Sequence, residues 1–190
     1  MSNSEYGRLI LVVGASGAGK DSVIRAAQAH FNNHPRIQFV RRIITRECDP
    51  SAEIHDSVSE DQFRQQQARG DFSVTWRANG LYYGLPSAVH TDIEKGRLLI
   101  ANGSRGALAD IRSKFSHLTT VHIVASHDVL AHRLERRSRE NAAEIKQRLE
   151  RNKTIDPLEG ENVVTIDNSG ERQVAIDEFV ALINSFILQA

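Results

Sequence analysis

The residues with the plainest chemical promise are Gly14, Ala15, Ser16, Gly17, Ala18, Gly19, Lys20, Asp21 and Ser22, which nearly match the phosphate-binding pattern G-x-x-x-x-G-K-[ST]. Glycines at that spacing let backbone N–H groups turn inward and approach phosphate oxygens closely. A helix that starts at the lysine presents its positive end to the same anion. Lys20 adds a full charge towards the β- and γ-phosphates of a nucleotide. In the general pattern a hydroxyl follows the lysine and holds Mg²⁺. Here Asp21 takes that place and Ser22 comes one later, so Asp21 or Ser22 is the expected metal ligand. A Gly-rich turn with no ligand is the competing reading, and the flanking elements argue against it.

Those elements are legible. Residues 8–13 form a short, almost continuous apolar run, the pattern of a strand buried on both faces. Residues 21–30 carry Val23, Ile24, Ala26 and Ala27 at helical spacing. Further strands are expected at 37–40, 72–78, 97–101, 121–124 and 163–166, with helices at 107–114, from about 127, and at 171–188. Ser59 and Gln62 have the spacing of a capping box, so a helix should run from there to about Arg69 and stop at Gly70. Residues 47–58 are polar and read as irregular. Asn79-Gly80 before Leu81-Tyr82-Tyr83 is a hairpin signal. An antiparallel unit is thus inserted in a chain that otherwise alternates strand and helix. The fold class expected is α/β, a three-layer sandwich around a parallel sheet. Arg105 falls just past a strand's carboxyl end, where ligands of open α/β sheets bind, and it is a candidate phosphate contact; Asn102 is a weaker one.

Composition narrows the classes of partner. The chain has 190 residues, enough for one domain with a real core, and its 40% apolar and 25% charged residues are ordinary for a globular protein. Lys plus Arg and Asp plus Glu both number 24, a balance that argues against bulk nucleic-acid binding. The single cysteine, Cys48, permits no internal disulfide and fits a reducing, cytoplasmic setting. The first residues have no signal-peptide pattern, and no apolar run approaches the ~20 residues of a membrane span. Eight histidines are scattered without metal-ligand spacing. His30, His34, His117 and His122 read as surface or structural residues, Phe72 and Trp76 as core. Oligomeric state is not legible.

With the phosphate loop, the segments RRIITR (41–46), VSEDQF (58–63), ANGLYYG (78–84), IANGSRGAL (100–108), RLERRSRENAAEIKQRL (133–149) and IDNSG (166–170) resemble the guanylate kinase family across nearly the whole chain. They are most similar to the branch that phosphorylates ribose 1,5-bisphosphate. The resemblance implies a single domain with core 1–36, 89–132 and 153–190, an acceptor-binding insertion at 37–88 and an Arg-rich lid at 133–152. It also implies ATP and Mg²⁺ as cofactors, a phosphorylated sugar as acceptor, and 5-phosphoribosyl 1-diphosphate as product. By the same resemblance Arg137 and Arg148 are catalytic lid arginines beside Lys20, with Arg133 and Arg139 as weaker candidates. Arg42, Arg46 and Tyr83 are expected to bind the acceptor, and Arg105 to join them by its position.

Departures from guanylate kinases point the same way. Val74 stands where they read guanine with a glutamate, and a valine cannot accept hydrogen bonds from a base. Their second acceptor-phosphate arginine falls near Asp49, a serine aligns with Arg42, and a tyrosine with His55. Two strand-end carboxylates near their metal are missing around Ala101 and Gly103, a loss that Asp21 is expected to offset. The alternatives are a GMP kinase, which Val74 disfavours, and a non-catalytic interaction module, which has no need of Lys20 or lid arginines.

Overall fold

A computed structural model describes residues 7–47, 55–135 and 158–188. Strand β1 (Arg8–Gly14) is the centre of a five-stranded, wholly parallel sheet in the order β2-β7-β1-β8-β9, with β2 at Ile37–Val40, β7 at Leu98–Asn102, β8 at Leu118–Val124 and β9 at Val163–Asp167. Residues Leu9 to Val13 are fully buried, as a strand covered on both faces must be.

Alternation along the strands builds two cores. Ile10, Val12 and Ile100 face helices α1 (Lys20–His30) and α6 (Arg172–Leu188), meeting Val23, Ala27, Ala175, Phe179 and Ile183. Leu9, Leu11, Val13, Leu99 and Ala101 face the other way. They meet α3 (Ala88–Glu94), α4 (Leu108–Lys114) and a second, four-stranded sheet. That sheet has the order β4-β3-β6-β5, with β3 at Ile43–Ile44, β4 at Asp56–Ser57, β5 at Phe72–Ala78 and β6 at Leu81–Pro86. It contributes Ile44, Val74, Trp76, Tyr83 and Leu85 to the shared core. The two faces of the large sheet therefore have different tasks.

The hairpin β5–β6 turns at Asn79 and Gly80, with φ of 50° and 77°. Two positive φ values in succession match a type I′ turn, which Asn-Gly favours. Helix α2 (Glu60–Ala68) has the expected capping box: Gln62 N–H donates to Ser59 Oγ and Ser59 N–H to Gln62 Oε1. Three features differ from the sequence expectations. Strand β2 pairs with β7 in the large sheet, so the second sheet begins only after Val40. Two residues of the stretch read as irregular form β4, which pairs parallel to β3. Helix α3 had no visible periodicity; it has seven residues, and Val89 and Ile93 are its only buried apolar side chains. No helix among the described residues is long and apolar enough to cross a membrane.

Candidate active site

The loop between β1 and α1 is built as its glycines require. Gly14, Gly17 and Gly19 all have positive φ, and Gly19 caps α1 at φ 95°. A Cβ on Gly14 would collide with the Ile123 carbonyl, and one on Gly19 with the Asn168 amide. No side chain caps α1, so its positive N-terminal end opens onto the loop where an anion would bind. Lys20 curls back over the loop and donates to the carbonyls of Gly14 (2.9 Å) and Ala15 (3.0 Å).

The loop is braced from the far side. Asn168 is 1% exposed, and its Nδ2 donates to the Ala18 carbonyl at 2.7 Å. Arg133, on α5 (His127–Glu135), donates to the Asn168 carbonyl at 2.9 Å and the Ala18 carbonyl at 3.4 Å. Arg133 thus anchors the loop from the start of the segment read as a lid. Burial and Arg172 push its pKa below the usual value. Sequence reasoning missed Asn168; only its place after the last strand, in IDNSG, could have flagged it.

Asp21 and Ser22 occupy the first turn of α1, on the α1/α6 side of the sheet. Asp21 Oδ1 accepts a 2.8 Å hydrogen bond from Nδ2 of Asn102, the last residue of β7. Asn102 was read as a weak phosphate contact; the structure gives it a carboxylate to hold. Among the described residues no three of His, Cys, Asp or Glu gather as a metal cluster. A magnesium ion at a nucleotide-phosphate site keeps several waters and takes one or two carboxylates plus phosphate oxygens. One carboxylate, fixed beside the phosphate loop, fits that requirement.

Across the other face lie the acceptor candidates. Arg42 is only 7% exposed, and its guanidinium sits 5.0 Å from the Tyr83 ring centre and 5.8 Å from that of Trp76. Trp76 and Tyr83 are themselves stacked, 5.5 Å apart and 7° from parallel. Tyr83 and Trp76 face each other in the β5–β6 register, which is why the stack forms. Arg46 follows β3, and its Nη2 lies 3.4 Å from His55 Nδ1. His55 is buried, and its Nε2 is 3.2 Å from Ser57 Oγ. Arg46 Nε is buried with no hydrogen-bond partner among the described residues. A buried guanidinium N–H without an acceptor is costly, and an incoming phosphate oxygen would satisfy it.

Arg105 opens the short 3₁₀ turn Arg105–Ala107 after β7. Burial pushes its pKa below the usual value. Of the reading of His122 as a surface or structural residue, the structure removes the first half: it lies inside β8. It is 7% exposed, and burial, Arg105 and Lys20 hold its pKa below the usual 6.5. A histidine inside an apolar strand, near that strand's carboxyl end, was the available signal. Arg137, Arg139 and Arg148 lie outside the described residues.

A phosphate loop at the carboxyl end of a parallel sheet, faced by a small sheet whose strand β3 is flanked by Arg42 and Arg46, defines a P-loop phosphotransferase of guanylate kinase-like architecture. The fold agrees: a guanylate kinase from Anaplasma phagocytophilum superposes with a TM-score of 0.69 at 13% identity, covering 96% of this chain and 87% of that one. No protein-family model matches the chain. Sequence relatives go further. The ribose 1,5-bisphosphate phosphokinase PhnN of Agrobacterium fabrum is 48% identical over 163 residues, 85% of this chain and 88% of the relative. That of Rhizobium etli is 38% identical over 189 residues, 99% and 95% of the two chains. The chain belongs to the ribose 1,5-bisphosphate phosphokinase family.

Proposed function

We propose that the protein transfers the γ-phosphoryl group of ATP to the 1-phosphate of ribose 1,5-bisphosphate, releasing ADP and 5-phosphoribosyl 1-diphosphate. The observation that carries this reading is the make-up of the β3–β6 sheet. Val74, where guanylate kinases place their base-reading glutamate, is 3% exposed and packed in the core, while Arg42 and Arg46 flank strand β3 of the same sheet. Such a surface offers guanidinium groups to phosphates and nothing polar at Val74 to a base. The names of the relatives point to the same acceptor.

In this mechanism the residues 14–19 and Lys20 hold the donor's β- and γ-phosphates. Asp21 and Ser22 would hold Mg²⁺, which would supply charge neutralisation to the donor's phosphates. Arg42, Arg46, Tyr83 and Arg105 place the acceptor's phosphates, and positioning with charge neutralisation supplies most of the rate in phosphoryl transfer. Arg137 and Arg148 are assigned to closing over the transferred group. The division into a core, an acceptor insertion and a lid at 133–152 belongs to this reading, as does a cytoplasmic setting. An ADP-release assay with ribose 1,5-bisphosphate and with GMP tests it. Turnover of the sugar and not of GMP is expected. Fast turnover of GMP alone would make it a nucleotide kinase, and turnover of neither would favour an interaction module.

A further inference from the structure

His122 has a position that the roles assigned so far leave unused. In the parallel register of β8 against β1 it stands beside Val13, one residue before the phosphate loop begins, and Ile123 stands beside Gly14. Residues paired in register point to the same face. Val13 belongs to the core shared with Ala101, Trp76 and Tyr83, so His122 lies on the acceptor's side of the sheet, at its carboxyl end. The ring has no hydrogen-bond partner among the described residues, although 93% of the residue's surface is covered (7% exposed). Neither ring nitrogen is among the buried polar atoms left unpaired, so the ring keeps a polar edge that water or a ligand can reach.

The charged groups that act on the ring are Lys20, from α1, and Arg105, from the turn after β7. Lys20 belongs to the donor's phosphates and Arg105 to the acceptor's side. Its place near the carboxyl end of β8, level with the residue that leads into the phosphate loop and on the face of the sheet that Trp76 and Tyr83 share, puts the imidazole beside the donor site on the acceptor's side. The cations favour its neutral form, which keeps one N–H to donate.

We propose that His122 is a phosphoryl-binding residue, donating a ring N–H from β8 to an oxygen of the phosphate in transit between ATP and the acceptor. This rests on the proposed reaction. In that step the P–O bond to ADP breaks and a P–O bond to an oxygen of the acceptor's 1-phosphate forms. The attacking oxygen is already ionised, so no proton moves and His122 acts as a donor rather than as a base. It contributes where charge shifts during transfer, so its removal should lower kcat more than it raises either KM.

Three variants test this. His122→Leu keeps the volume and removes the donor, while His122→Asn and His122→Gln each keep an N–H near one ring nitrogen. The leucine variant should lose about ten- to a hundredfold in kcat, with both KM values within roughly threefold, and one amide should recover most of the loss. Equal losses in all three variants, tracking a lowered Tm, would show a packing role and overturn the proposal, as would a leucine variant within about twofold of wild type. An activity-independent reading comes from imidazole ¹⁵N shifts, with His122 assigned by its loss in His122→Gln. Adding β,γ-imido-ATP and ribose 1,5-bisphosphate should move the His122 resonance, and a resonance that stays put would also overturn the proposal. Absence of wild-type turnover on the sugar would instead overturn the proposed reaction, and the two failures are thereby distinguished.

Discussion

Changing Asp21 to serine would turn the loop into the general phosphate-binding pattern, and the structure says that this apparent repair should damage the enzyme. Two effects add. Asp21 Oδ1 accepts the 2.8 Å hydrogen bond of Asn102, whose side chain is buried. Serine is too short to keep that bond with the backbone in place, and losing a hydrogen bond to a charged acceptor costs about 1–3 kcal/mol. At roughly 2–4 °C per kcal/mol for a domain of this size, Tm should fall by about 2–12 °C. The second effect is on the metal. A unit charge about 4 Å from a dication is worth about 8 kcal/mol gross at an effective dielectric constant of ~20, most of it offset by the water that replaces the carboxylate. A net loss of about 10–100-fold in apparent Mg²⁺ affinity is the expected remainder. ADP release titrated with free Mg²⁺ reads this directly, and Mn²⁺ paramagnetic resonance with ADP reads it without turnover. Asp21→Asn separates the effects: it keeps an oxygen for Asn102, so Tm should hold while metal affinity still falls. An Asp21→Ser enzyme with unchanged Mg²⁺ half-saturation and unchanged kcat would refute the reasoning.

Other consequences are equally measurable. Lys20→Met should cut kcat/KM by about 100-fold or more, the cost of losing a fixed phosphate-directed charge, and a loss under tenfold would remove Lys20 from the donor site. Gly19→Ala should cost about 1–3 kcal/mol of stability, because φ is 95° and the new Cβ meets the Asn168 amide; Gly106→Ala, with only Ser104 Oγ at 3.8 Å, is the control that should leave Tm unchanged. Arg42→Met should raise the acceptor's KM and lower stability by about 0.5–2 kcal/mol as the cation leaves the Tyr83–Trp76 stack. Lost stability with an unaltered KM would make Arg42 a packing residue only. Finally, burial, Arg105 and Lys20 hold His122 below its usual 6.5 in the folded protein. The unfolded chain therefore takes up that proton first, so the associated stability is complete above pH 6.5 and is lost as pH falls below it. Denaturant titrations of His122→Gln should show a shallower acid-side decline than wild type.

What the sequence disclosed depended on the range over which its signals act. The loop 14–22, the Ser59–Gln62 capping box and the Asn79-Gly80 turn are local devices, set by residues within a few positions of one another, and each appears where local chemistry puts it. Helix α3 was invisible because its seven residues bury only Val89 and Ile93 as apolar side chains, too few for a period to show. The links that decide how the site works join distant residues: Asn102 to Asp21 across 81 positions, Asn168 to Ala18 across 150. No pattern of spacing encodes such pairs; they follow from strand order, which brings the ends of β7 and β9 to the loop after β1. His122 is the intermediate case. Its strand was readable, but which face it took, and that Lys20 and Arg105 would act on it, required the register with Val13.

Strand order also explains why the negative charge moved. In the guanylate kinases this chain resembles, carboxylates stand at the positions of Ala101 and Gly103. Ala101 packs in the core that faces the β3–β6 sheet, and a Cβ on Gly103 would meet the Leu11 side chain in that same core. Carboxylates there would point towards the acceptor. Asn102 alternates to the opposite face, and Asp21, which it holds, lies on that side with α1. An acceptor that carries two phosphates meets a carboxylate about 5 Å away at a cost of about 3 kcal/mol per pair of unit charges, at an effective dielectric constant of ~20. On the proposed reading, relocating the carboxylate to the loop would keep a metal ligand beside the donor and leave the acceptor's face to Arg42, Arg105 and His122. If that is the reason for the exchange, Ala101→Asp should weaken the sugar bisphosphate far more than it weakens ATP. Equal effects on the two KM values would show that the face of the sheet is not what separates donor from acceptor.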